Sequence, residues 1–261
     1  MFSLLCEVPE DTVRELASCG FTVAELSEIE LAKFLAAEDP EQRVRQFVKC
    51  CHESGIVLSQ AHMPNIFNFD SANDLEALFV RVEKSFRLLE MLAVPVAVFH
   101  PLKNEGAPEG VSVPEINKSF FSKVLRIGEK YNVRPAVENL IGMTRAEIRF
   151  LMDSVPGLGF NLDTAHASSS GWDIASAVRE FAKELAGLHI SDNNGEPYDM
   201  HLIPGKGYLP WDSIVHEIRL SGYCGDFHLE LPHERADAIE KTREAAMRAL
   251  DAAKEILCRQ Y

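Results

Sequence analysis

The chain of 261 residues is predicted to fold as an α/β protein, a single (β/α)8 barrel. Three observations carry this. Short apolar runs alternate with amphipathic helical patterns about eight times, at a mean repeat of roughly thirty residues. No Pro/Gly/Ser-rich linker or change of composition divides the chain, so residues 1–261 read as one domain. Polar residues able to do chemistry recur at the last position of successive apolar runs. The competing architecture is an open doubly wound sheet, but the glycine-rich phosphate loop expected after its first strand is missing.

Phe2 to Val8 is the first strand, and Pro9-Glu10-Asp11 opens a helix, with proline and acid in its first turn, that runs to Gly20. Phe21 to Ser27 is the second strand. Asp39-Pro40-Glu41-Gln42 supplies an N-cap and a proline at the first helical position for a helix that closes near Ser54-Gly55. Ile56 to Ala61 is strand-like and ends in His62. Leu75, Leu78, Phe79, Val82, Phe86 and Leu89 fall on one helical stripe. Val94 to Phe99 then forms a buried strand ending in His100, and a polar loop leads to a helix from about Pro114 to Tyr131.

Pro135-Ala136-Val137 runs into Glu138-Asn139, and Asn161-Leu162-Asp163 is the next strand end, followed by the small, polar Ser168-Ser169-Ser170-Gly171. Trp172 to Glu184 reads as a helix, and Leu185 to Leu188 leads into His189. A long loop from Asp192 to Pro210 carries Asp199 and His201. A helix from Trp211 to Leu220 precedes Phe227-His228-Leu229-Glu230-Leu231. The last helix buries Ile239, Ala246, Leu250, Ala253 and Leu257 on one stripe.

With 46% hydrophobic residues the chain can bury a substantial core. Its 26 basic and 40 acidic side chains give a net charge of -14, which argues against a general grip on nucleic acid or on anionic membrane. The N-terminus lacks the basic opening of a secretory signal, and no apolar run approaches the length of a membrane span. The six cysteines (Cys6, Cys19, Cys50, Cys51, Cys224, Cys258) lack zinc-ribbon spacing and read as reduced thiols. The expectation is a cytoplasmic protein, and a homo-oligomer is open to it.

His62, His100, Glu138, Asp163, His189 and Glu230 each lie at or next to the C-terminal end of a different predicted strand, the face on which barrels build their sites. Carboxylates and imidazoles without a thiolate suit zinc, manganese, cobalt or magnesium. Asp163 and His166, three residues apart, form one such pair. Asp199 and His201, with one residue between them, would point the same way in an extended segment. Phe67 and Phe69 could stack on a base or cap a sugar pocket. The rim sets Lys103 and Lys206 against Asp70, Glu105, Glu109, Asp173, Asp192 and Glu196, a poor surface for DNA.

Glu138-Asn139-Leu140, Asn161 to His166, His189-Ile190-Ser191-Asp192, Asp199-Met200-His201 with Pro204-Gly205-Lys206-Gly207, and Leu229-Glu230-Leu231 together resemble the xylose isomerase-like TIM-barrel superfamily. That group includes sugar isomerases and epimerases, myo-inositol catabolic enzymes and endonuclease IV. The resemblance implies one metal ion held by Glu138, Asp163, His189 and Glu230, with His166 near the substrate, as in the one-metal epimerases. The ligand set of endonuclease IV is also matched in full, adding His62, His100, His166, Asp199 and His201, so the number of ions stays open between one and three.

The function expected is a divalent-metal-dependent isomerase or epimerase acting on a sugar, sugar phosphate or related polyol through an enediolate. Glu138 and Glu230 would be its acid and base, His166 a catalytic partner holding a substrate oxygen, and His62, His100, Trp172 and Lys206 would line the substrate. The alternatives are a multi-metal phosphodiesterase acting on DNA, like endonuclease IV, and a barrel that binds metal or sugar without turnover.

Overall fold

In a computed structural model that describes residues 2–6, 10–65, 67–68, 75–104, 107–195, 198, 200–231, 247–248 and 250–256, eight parallel strands pair in chain order and close into a barrel. They are β1 (Phe2–Cys6), β2 (Val23–Leu26), β3 (Val57–His62), β4 (Val96–Phe99), β5 (Arg134–Glu138), β6 (Gly159–Asp163), β7 (Leu185–Ile190) and β8 (Phe227–Leu229). Closure comes from β1 against β8, with Phe2 opposite Phe227 and Leu4 opposite Leu229. The fold is therefore the single TIM barrel that the alternation predicts. No helix among the described residues is long and apolar enough to cross a membrane.

The helices are α1 (Glu10–Ser18), α2 (Glu28–Ala36), α3 (Pro40–Ser54), α4 (Leu75–Met91), α5 (Val113–Tyr131), α6 (Arg145–Ser154), α7 (Thr164–Ser169), α8 (Ile174–Glu180) and α9 (Trp211–Ser221). The caps read from α3 are present: Asp39 accepts from Gln42 N–H, and Gly55 closes the helix in the left-handed region. Three helices have no counterpart in the alternation. In α2, Ser27 accepts from Glu30 N–H at the N-cap and Leu31 and Phe34 are buried. In α6, Thr144 and Glu147 form a reciprocal capping box. The short α7 takes its N-cap from Asp163.

The helix expected from Trp172 to Glu184 is confined to Ile174–Glu180, because Asp173 caps it by accepting from Ser176 N–H. A final helical stretch buries Leu250, Ala253 and Ile256. Ile239, Ala246 and Leu257, placed on that stripe by the sequence, lie outside the described residues, as do Asp70, Glu105 and Glu196.

The apolar layer between barrel and helices is rich in phenylalanine: Phe34, Phe47, Phe86, Phe99, Phe120, Phe121, Phe160 and Phe181 are all fully buried. Phe67 belongs to this layer. Its ring stacks on Phe120 with centroids 3.7 Å apart, which corrects its reading as a residue free to meet a base or a sugar. Phe69 lies outside the described residues. Cys50 and Cys51 are buried free thiols, in keeping with the sequence, whereas Cys224 is exposed.

Candidate metal centre

Side chains tie neighbouring strands together at the mouth of the barrel, just beyond the paired backbone. Asn139, one residue beyond β5, donates from Nδ2 to Asp163 O and accepts from Asp163 N–H through Oδ1, at 3.0 and 2.9 Å. Thr164, one residue beyond β6, bonds in the same two-way fashion to Ser191, at 2.6 and 3.0 Å. These pairs prolong the β5–β6 and β6–β7 ladders by one step, fixing the positions from which Glu138, Asp163 and His189 enter the barrel.

Two groups of donors result. Glu138, Asp163, His189 and Glu230 each present a ligand atom, and these atoms all lie within 4.8 Å of one another. His189 Nδ1 is 3.1 Å from Glu138 Oε1 and 2.9 Å from Glu230 Oε2. The second group is His62, His100 and Glu138. Its two Nε2 atoms are 3.0 Å apart, at 3.3 and 3.4 Å from Glu138 Oε2. Glu138 belongs to both groups, one oxygen facing each.

All six strand-end residues read from the sequence thus converge, and His166 joins them. In the first turn of α7, its ring Nδ1 lies 3.0 Å from Asn139 O and 3.4 Å from Glu138 Oε1. His201 takes a positive φ of 42° and sets Nδ1 3.1 Å from Glu230 O, and its ring centroid is 6.1 Å from that of His166. Asp199 lies outside the described residues. Trp172 donates its indole N–H to Met143 O and lines an open depression of about 450 Å³ between residues 142–145 and 170–173. Lys206 is exposed on the turn that follows Pro204.

Asp192 does not belong to the rim where the sequence reading put it. It is completely buried, accepting from Asn193, Gly205 and Leu209 N–H and from the Trp211 indole, and so folds the loop that carries His201. Its place beside the strand end hid this role.

Burial and charge oppose one another throughout the centre. Burial disfavours ionisation of Glu138, yet His189 and hydrogen bonds from His100, His166 and His189 hold its carboxyl well below the usual range. Glu230, partly exposed at the mouth, is also held low by His189. Asp163 goes the other way: burial, reinforced by Glu230 and Glu138, outweighs His166 and pushes it up to about 7. His62, despite burial, is raised to about 9 by Glu138. His189 is raised well above the ordinary imidazole value against its burial, by Glu25, Glu138 and Glu230.

The donor set fits a divalent cation. Asp163 Oδ2 is a buried carboxylate oxygen with no hydrogen-bond partner. Leaving such lone pairs dry and unmatched is costly, and a cation beside that oxygen would offset the cost. The mixture of carboxylates and imidazoles without thiolate suits zinc, manganese, cobalt or magnesium.

Beneath these donors lies a layer that sequence reasoning missed: Glu25 of β2, Gln60 of β3, Asn161 of β6 and His228 of β8, all buried. Glu25 Oε1 is 3.1 Å from His189 Nε2, and Glu25 Oε2 is 3.4 Å from His228 Nδ1. The available signal was a charged residue inside an apolar run, Val23-Ala24-Glu25-Leu26. Gly187 makes room for this layer, since a Cβ there would stand 2.2 Å from Gln60 Oε1 and 2.3 Å from Asn161 Oδ1.

The sequence profile of the xylose isomerase-like TIM-barrel family matches residues 13–256. An uncharacterized protein of Mycobacterium bovis is 29% identical over 100 residues, 38% of this chain and 36% of that protein, so the match spans about a third of that relative's length. A probable endonuclease 4 of Thermoplasma volcanium is 27% identical over 205 residues, 70% of this chain and 71% of its own. Among solved structures, a D-psicose 3-epimerase in the presence of D-fructose superposes with a TM-score of 0.81 at 17% identity, covering 98% of this chain and 99% of that one.

Proposed function

Because the chain belongs to the xylose isomerase-like TIM-barrel family, we propose that it is a divalent-metal-dependent isomerase or epimerase acting on a sugar, sugar phosphate or related polyol through an enediolate. The observation that carries the proposal is the pairing of two carboxylates, buried Glu138 and partly exposed Glu230, on one imidazole inside a single donor group. A bound divalent ion would supply Lewis acidity to the carbonyl and hydroxyl oxygens of a hydroxy-ketone. It would be held by Glu138, Asp163, His189 and Glu230.

One of the two glutamates removes the proton beside the carbonyl. The electron pair left behind moves into the enediolate, and the other glutamate, ionised at rest like the first, takes a proton from a neighbouring imidazole and passes it to carbon. His166 holds a substrate oxygen, while His62 and His100 bond substrate hydroxyls and Trp172 and Lys206 contribute from the rim. The epimerase relative of the same fold supports a polyhydroxylated ketone as the substrate class. Incubating metal-loaded protein with a panel of ketoses and their phosphates in deuterated water tests this. Carbon-bound deuterium beside the carbonyl is the expected result, and its absence from every member of the panel would overturn the reading.

A second reading, a multi-metal phosphodiesterase, is favoured by the second donor group of His62, His100 and Glu138 and by the endonuclease relative. Two ions sharing Glu138 would suit activation of water and neutralisation of a leaving oxygen. The net charge of -14 weighs against DNA as its substrate. A barrel that binds metal or sugar without turnover would take up the ion but incorporate no deuterium.

A further inference from the structure

We infer that Glu25 is a positioning residue: from beneath the metal centre it fixes the proton of His189 on Nε2 and so leaves Nδ1 free to face the ion. This inference rests on the metal reading proposed above.

The two ring nitrogens of His189 look in opposite directions. Nδ1 points to Glu138 and Glu230, at 3.1 and 2.9 Å. Nε2 points down into the barrel, 3.1 Å from Glu25 Oε1. An imidazole that gives Nδ1 to a cation carries its proton on Nε2, and that proton needs an acceptor in a place water does not reach. Glu25 and His189 both have zero exposure, so the carboxylate is the acceptor at hand.

The neighbouring amides fit the same arrangement. Gln60 Nε2 stands 3.0 Å from His189 Nε2 and 3.2 Å from Asn161 Oδ1, while Asn161 Nδ2 has no hydrogen-bond partner. With His189 protonated on Nε2, a half-turn of each amide presents the Gln60 oxygen to that N–H and the Asn161 nitrogen to the Gln60 oxygen. The orphaned Asn161 donor then finds an acceptor. Apolar packing alone gives no reason for a carboxylate at this depth, since a hydrocarbon side chain is cheaper to bury.

Glu25 acts through His189, so its removal should change ion binding before anything else. The test measures zinc affinity of the full chain, stripped and reloaded, by competition with a chelator. A long-range ¹H–¹⁵N spectrum of the zinc-loaded protein then reports the His189 Nε2 proton. Glu25→Gln keeps an acceptor but loses the charge, and should weaken zinc about tenfold; Glu25→Ala should weaken it about a hundredfold and expose the Nε2 proton to rapid exchange. If Glu25→Ala does not fold, Glu25→Gln alone decides. Affinity within about threefold of wild type in every folded variant, with the Nε2 proton still protected, overturns the inference and leaves the metal reading standing. Wild-type protein that takes up no zinc overturns both.

Discussion

Glu138 Oε2 lies 3.3 Å from His62 Nε2, on the side of the carboxylate away from the oxygen that meets His189. One side chain at the end of β5 therefore serves two donor groups at once. Glu138→Gln replaces one oxygen by an amide nitrogen, which cannot ligate, and removes the proton-transfer group. Metal content should fall, and turnover on a confirmed substrate should drop on the order of a hundredfold or more. Near-normal turnover in the folded variant would contradict the role given to Glu138.

His62 and His100 decide how many ions are held. In a two-ion centre, changing both to alanine should remove one ion per chain and leave the ion on Asp163, His189 and Glu230 in place. In a one-ion centre the same double change should leave the metal content unaltered and raise KM, because the imidazoles then only bond substrate hydroxyls. Elemental analysis of the purified double variant beside wild type separates the two outcomes.

Proton release should accompany metal binding. In the metal-free protein, burial and its acidic neighbours hold Asp163 at about 7, while Glu25, Glu138 and Glu230 hold His189 well above the ordinary imidazole value against its burial. Both belong to the proposed ligand set and carry protons near neutral pH that an ion would displace. A raised value means that the proton is held until the pH exceeds it. Apparent affinity should therefore climb from about pH 6 upward, by about tenfold per unit for each proton displaced. Titration calorimetry in buffers of different ionisation enthalpy measures the protons directly, and a flat profile would count against the ligand assignment.

The barrel and the mouth of the site were legible because they depend on short-range patterns. Apolar runs ended by His62, His100, Glu138, Asp163 and His189 mark strand ends in any parallel barrel. Glu25, Gln60, Asn161 and His228 were not legible as a layer. Each is a single polar residue inside an apolar run, and only the stagger of the strands brings them together across the barrel. Phe67 was misjudged because a phenylalanine in a loop can face water or core, and stacking on Phe120 is a contact between distant segments. The helix α7 escaped because Asp163 reads as a ligand, whereas its Oδ1 also caps the helix by accepting from His166 N–H at 2.6 Å.

The stacked Phe67 ring offers a test of the core beneath the mouth. Phe67→Ala would remove a buried ring that contacts both Phe120 and Phe121. A loss of about 3–5 kcal/mol is expected for such a truncation in an apolar layer. Urea denaturation followed by fluorescence measures it, and a cost below about 1 kcal/mol would place the ring outside the core.

Asp192 should matter to the site through the loop it folds. Asp192→Ala would leave three backbone N–H groups and the Trp211 indole without their acceptor. Each buried donor left unmatched costs about 1–3 kcal/mol, unless the loop opens to water. Opening is the cheaper response, because the segment from 192 to 211 can unfold locally without disturbing the barrel. Hydrogen exchange should therefore accelerate in residues 192–211 while β5 and β6 stay protected. His201, anchored to Glu230 O by this loop, would lose its position, but an ion held as proposed on Glu138, Asp163, His189 and Glu230 should stay bound. Global unfolding at a sharply lower urea midpoint, with exchange accelerated throughout the barrel, would show that Asp192 supports the whole fold and not one loop.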